Sequence, residues 1–168
     1  GHRRRRACEL AGLKEMPVII RELDDDESTV IMVDSNIQRE DLLPSEKARA
    51  YRMKYEALKH QGSRAGGKTI EEMGETAGES GKTVQRYIWL SRLSKELLEM
   101  VDRKELGFVQ GIDLSFLTEE AQGWVRDFIG RTGAGISTGQ SARLKEYGRI
   151  GELMPAVVEQ ILAEKKAP

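Results

Sequence analysis

Apolar residues three and four positions apart recur through most of this chain, and that spacing predicts helices. From residue 70 onward the pattern is nearly unbroken. Segments 70–77, 83–93, 95–103, 108–117 and 119–129 each carry one apolar stripe, and 140–147 and 155–165 close the chain in the same way. Earlier, Pro44 and Ser45 open a helix whose face is marked by Ala48, Tyr51, Tyr55 and Leu58 as far as His60. Near the N-terminus Ala7, Leu10 and Ala11 mark a short basic helix over 3–13 with Gly12 as its stop. One run departs from helical spacing. Val18, Ile19 and Ile20 are consecutive and β-branched after Pro17, which predicts a strand ending in the acidic turn of Asp24, Asp25, Asp26 and Glu27. A second run, Val30 to Val33, fits a strand or a helix start, and Glu27 and Ser28 ahead of it favour a helix cap.

Two glycine-rich polar stretches, 61–68 and 130–139, interrupt these elements. They predict a division into 1–60, 69–129 and 140–168, the last a pair of helices suited to oligomerisation. The expected fold is mainly α: a small α/β N-terminal lobe followed by an all-helical lobe. No internal repeat is present.

Composition narrows the function classes. At 168 residues the chain can bury a core as one domain or two small lobes. Charged residues are 33% and aromatic ones 5%, which favours helices over a β-sandwich. The formal charge of -1 excludes a uniformly basic coat, so any anion site must arise from local segregation of charge. Cys8 stands alone, which excludes an internal disulfide, and His2 and His60 leave little for a metal. No run approaches ~20 apolar residues and no apolar signal core follows the first arginines, so a cytoplasmic chain is expected. The absence of an initiator Met leads us to expect a fragment or a processed chain.

Three clusters could carry chemistry. Gly1 followed by Arg3, Arg4, Arg5 and Arg6 offers backbone N–H groups and guanidinium forks to a phosphate, or forms a solvated basic face. Residues 34–44, from Asp34 through Ser35, Asn36 and Arg39 to Pro44, can present an amide, a carboxylate and a guanidinium to a ligand, or form a capped interhelical loop. Residues 71–88 have the spacing of a helix-turn-helix. Gly74 permits a close crossing, Gly78 the turn, and Met73, Ala77, Val84 and Tyr87 a small shared core, with Ser80 as N-cap of the second helix. Charge separates the two helices. Segment 69–79 holds Glu71, Glu72, Glu75 and Glu79 with no base, and 80–95 holds Lys82, Arg86, Arg92 and Lys95 with no acid. Only the second helix suits DNA, with Ser80, Lys82, Thr83, Gln85 and Arg86 at the positions that meet a duplex. An ordinary helical hairpin has the same spacing. Trp89, Leu90, Leu93, Trp124 and Phe128 read as core.

Taken in order, these clusters resemble the ParB/Noc family of chromosome and plasmid partition proteins over about residues 1–129. The run Gly1-His2-Arg3-Arg4-Arg5-Arg6-Ala7 is similar to the family's Gly-Glu-Arg-Arg-x-Arg-Ala box. The run Asn36-Ile37-Gln38-Arg39, with Leu42, Pro44 and Glu46 after it, resembles its Glu-Asn-x-Gln-Arg box. The chain differs at His2, where the family's box has a glutamate, at Ser35, where it usually has one, and at Gly81, where relatives often carry a base.

The resemblance implies a ParB/sulfiredoxin-like remnant in the N-terminal lobe that lacks its first segment, so that its CTP and Mg2+ pocket is incomplete. Gly1, His2, Arg3, Arg4, Ser35, Asn36 and Arg39 would hold the nucleotide, and Asn36 the metal; no catalytic residue is assigned and turnover is at most that of a slow CTPase. It also implies a helix-turn-helix homodimer on a palindromic double-stranded DNA site of a chromosome, plasmid or mobile element, nucleoid-associated, with a ParA-type ATPase as partner. A ParB-like nuclease or phosphotransfer enzyme, and a helical adaptor that binds protein, are the alternatives.

Overall fold

The computed structural model describes residues 2–37, 41–60 and 67–164, apart from the side chains of residues 2 and 68. Ten helices make up its regular structure: α1 (His2–Leu10), α2 (Asp25–Ile37), α3 (Pro44–His60), α4 (Gly67–Ala77), α5 (Gly81–Leu90), α6 (Lys95–Asp102), α7 (Phe108–Leu114), α8 (Glu119–Thr132), α9 (Thr138–Arg149) and α10 (Pro155–Ala163). The mainly α fold expected from the apolar spacing is what forms, and there is no strand among the described residues.

Local chemistry sets the boundaries. Asp24 and Glu27 close a reciprocal box at the start of α2, the Glu27 N–H donating to Asp24 Oδ1 at 2.7 Å and the Asp24 N–H to Glu27 Oε2 at 3.2 Å. The acidic turn read from the sequence is therefore the first turn of a helix, where Asp25, Asp26 and Glu27 also favour the positive end of its dipole. This settles residues 30–33 as helix. Ser137 and Gln140 form a second box at α9, and α8 starts on Thr118, whose side chain accepts from the Ala121 N–H at 3.2 Å.

The strand expected at 18–20 does not form. That segment is extended with its side chains in solvent, Ile19 at 84% and Ile20 at 88% exposure. A β-branched run becomes a strand only when a neighbour takes its N–H and C=O groups, and no described segment does so.

Two apolar clusters lie side by side. One joins α2 to α5 through Val33, Ile37, Tyr51, Met73, Val84 and Ile88. The larger runs from Leu90, Leu97 and Val101 through Leu114 and Val125 to Leu144, Val158 and Ile161. Helix α3 packs against α5 and α6, so residues 44–60 share a core with helices that follow the 61–68 segment. Likewise α9 and α10 pack on α7 and α8, with Leu144, Val158, Ile161 and Leu162 inside. The closing helices thus complete the bundle's own core.

Two buried polar side chains tie the helices together, while the buried Ser94 Oγ makes no hydrogen bond. Lys54 on α3, its side chain 5% exposed, meets Asp34 of α2 at 2.5 Å, an arrangement that offsets the cost of a buried ammonium. Gln122 of α8 accepts from the Ser94 N–H at 2.7 Å and donates to the Arg92 carbonyl at 3.3 Å and the Leu117 carbonyl at 3.2 Å, fixing the turn after α5.

Candidate nucleic-acid interface

Helix α5 is anchored in both clusters at once. Val84 and Ile88 sit in one and Leu90 in the other, so the opposite side of the helix is left to solvent. At 3.6 residues per turn, Lys82, Gln85, Arg86 and Trp89 fall on one arc. They do line one groove of about 750 Å³, together with Ser80, Gly81, Ile70 and Glu71.

The turn leading into α5 is built as its sequence requires. Gly78 is in the left-handed region, with φ of +71°. A Cβ on Gly74 would lie 2.6 Å from the Glu79 carbonyl oxygen, so α4 and the turn can approach only through a glycine. Gly81 also meets α4 tightly: a Cβ there would come 3.3 Å from Glu71 Cα. Ser80 caps α5 through the Thr83 N–H at 3.1 Å, and its Oγ also lies 2.9 Å from Thr83 Oγ1. Ser80 and Thr83 therefore fix the start of the helix, while Lys82 and Arg86 remain exposed beside it. Among the described residues no ion pair takes up Lys82, Arg86 or Arg92.

A clamp absent from the sequence reading holds this turn. Glu79 accepts from the Tyr51 hydroxyl at 2.9 Å and pairs with Lys47, whose ammonium also lies 5.0 Å from the Tyr87 ring centre. Burial, and then the bond to Glu79, hold the Tyr51 hydroxyl well above the ordinary tyrosine range. No local pattern could reveal the clamp, since its partners are 28 and 32 residues apart. Trp89 is a half-buried wall of the groove as well as a core contact; Leu90, Leu93 and Phe128 are buried, as read from the sequence, and Trp124 is half-buried.

The described residues among those expected to hold a nucleotide, Arg3, Arg4, Ser35 and Asn36, do not converge. Gly1 and Arg39, and the His2 side chain, lie outside what is described. Arg3 and Arg4 are exposed on α1, and the hollow beside Arg4 is lined by Ala7, Cys8 and residues 16–19, not by Ser35 or Asn36. Ser35 Oγ and Asn36 Nδ2 each donate to the Met32 carbonyl at 2.8 Å, and Asp34 is committed to Lys54. Helices α1 and α2 make at most a slight contact. Among the described residues no three His, Cys, Asp or Glu side chains are placed together to hold a metal ion. No described helix is long and apolar enough to cross a membrane.

Comparison with known proteins points the same way as the α5 groove. Residues 1–37 match the model of the ParB N-terminal domain. The chain is 33% identical over 147 residues to the chromosome-partitioning protein Spo0J of Thermus thermophilus, covering 87% of this chain and 50% of that protein. It is 32% identical over 149 residues to a probable chromosome 1-partitioning protein ParB of Deinococcus radiodurans, covering 89% and 49%. It thus spans about half the length of these relatives. A solved structure of C-terminally truncated ParB from Caulobacter crescentus, complexed to the centromeric parS site, superposes with a TM-score of 0.55 at 27% identity, over 87% of this chain and 72% of that one.

Proposed function

The chain belongs to the ParB family of chromosome-partitioning proteins, and on that premise we propose that it is a sequence-specific DNA-binding partition protein whose α4 and α5 are a helix-turn-helix. The observation that carries this reading is the α5 arc. Lys82, Gln85, Arg86 and Trp89 share one open groove while the helix behind them is locked into two cores and a clamp.

Mechanistically, α5 enters the major groove by its N-terminal half. Arg86 is suited to the O6 and N7 of a guanine and Gln85 to the N6 and N7 of an adenine. Lys82 meets a phosphate, and Ser80 and Thr83 hold the helix start in place by capping rather than by reading a base. Because both ends of α5 are fixed before DNA arrives, little ordering cost opposes binding. A homodimer on a palindromic site, a plasmid as an alternative replicon, a nucleoid location and a ParA-type ATPase partner are further parts of this proposal, resting on family resemblance. The mechanism has no step through a nucleotide.

Selection of duplexes from a random pool should enrich one site. On that site Arg86→Ala is expected to weaken binding by about 1–3 kcal/mol and to relax the choice of one base pair, measured by fluorescence anisotropy. Equal affinity and equal specificity in the variant would remove Arg86 from the interface.

A further inference from the structure

The groove does not end at Trp89. Its ring lies 5.3 Å, centre to centre, from that of Phe116, which follows α7 and is 41% exposed. Phe116 also meets Lys145 of α9, whose ammonium lies 4.4 Å from the same ring centre. A surface ribbon thus runs from Lys82 and Arg86 across two aromatic rings to a further cation more than fifty residues away in sequence.

Lys145 is held, not loose. Its Nζ lies 3.2 Å from Asp113 Oδ1, and Asp113 Oδ2 accepts from Ser141 Oγ at 2.9 Å, so the carboxylate is itself fixed. The ammonium has three donors. Asp113 engages one, Phe116 takes one face, and the side chain is still 40% exposed while the Asp113 side chain is only 14% exposed. A cation oriented this way, beside a face that meets DNA, has the chemistry of a phosphate contact.

We propose that Lys145 contacts a backbone phosphate of the bound duplex beyond the reach of α5, with Asp113 and Phe116 as its positioning residues. The assignment rests on the DNA-binding reading above and extends the interface to α9, which the sequence offered only as an oligomerisation element. It adds affinity and register without adding base choice.

The test uses the whole chain and two labelled probes, a random-sequence duplex and the duplex enriched by selection, titrated over a series of salt concentrations. Lys145→Met keeps the aliphatic stem over Phe116 and removes only the charge. Its log affinity against log salt should be shallower by about 0.9, the contribution of one phosphate contact, with the ratio between the two probes unchanged. Lys145→Arg should restore the slope. An unchanged slope in Lys145→Met overturns the assignment, and if that variant only lowers the melting temperature, Lys145 is a packing residue. Arg86→Ala separates the two levels: its loss of specificity keeps the α5 reading standing whatever Lys145 does, whereas no binding by the unsubstituted chain at low salt overturns both.

Discussion

Two short runs of this chain are nearly the same in composition and opposite in fate. Val18, Ile19 and Ile20 are extended and solvated, whereas Val30, Ile31, Met32 and Val33 form the middle of α2 and bury Val33 against α3. The first packs on no apolar face, its Ile19 and Ile20 lying in solvent, and no described strand pairs with it. The second stands behind the Asp24–Glu27 box and ahead of Ile37, which reaches the same cluster one turn on. Side chains of one type therefore take their conformation from the cap before them and the surface that covers them. The arginines of α1 show the same rule for charge. Among the described residues Arg5 and Arg6 pair with Glu9 of their own helix, while Lys54 is buried because Asp34 of another helix meets it.

This contrast can be tested by substitutions whose expected effects descend in size. Leu97 is fully buried where α6 meets the large cluster, and Leu97→Ala should cost about 2–5 kcal/mol in urea unfolding. Gly74→Ala comes next, at about 1–3 kcal/mol, because the added methyl meets the Glu79 backbone oxygen rather than a side chain that could swing away. Tyr51→Phe should cost about 1 kcal/mol at neutral pH through the lost bond to Glu79. It also has a pH signature. The folded protein holds the Tyr51 hydroxyl above its unfolded value, so its stability is fully present below pH about 10 and declines above that, where the unfolded chain releases the proton first. The phenylalanine variant should therefore lose less stability than the unsubstituted chain between neutral pH and strongly alkaline conditions; an identical alkaline decline would show that Tyr51 does not contribute to it. The smallest effect is expected at Ile19→Ser, within about 0.5 kcal/mol, since an exposed side chain has little to lose. A larger cost there would reveal a partner surface for the extended segment.

Much of the bundle was legible because its signals are local. Ser80, Gly78 and Gly74 were each readable as cap, turn and close crossing, and the structure uses all three that way. The segregation of Lys82 and Arg86 from the glutamates of α4 was equally readable, since charge order along a helix survives folding. Segment 18–20 was misread because a strand is a property of two segments and the sequence displays one at a time. Trp89 was read as core alone, since helical spacing does not show that the arc it shares with Lys82 and Arg86 lines an open groove.

What the sequence determined by itself is most of the helices, the Ser80 cap, the tight turn into α5 and the charge on that helix, because each depends on groups within a few residues of one another. Only the tertiary structure decided that α3 clamps the turn through Tyr51, Lys47 and Glu79, that Asp34 serves Lys54 rather than a ligand, and that Lys145 lies against Phe116 at the end of the α5 groove. These are pairings across 20 or more residues. They form because packing of the apolar faces brings distant polar groups into a low-dielectric interior, where each must find its partner or bear the cost of desolvation.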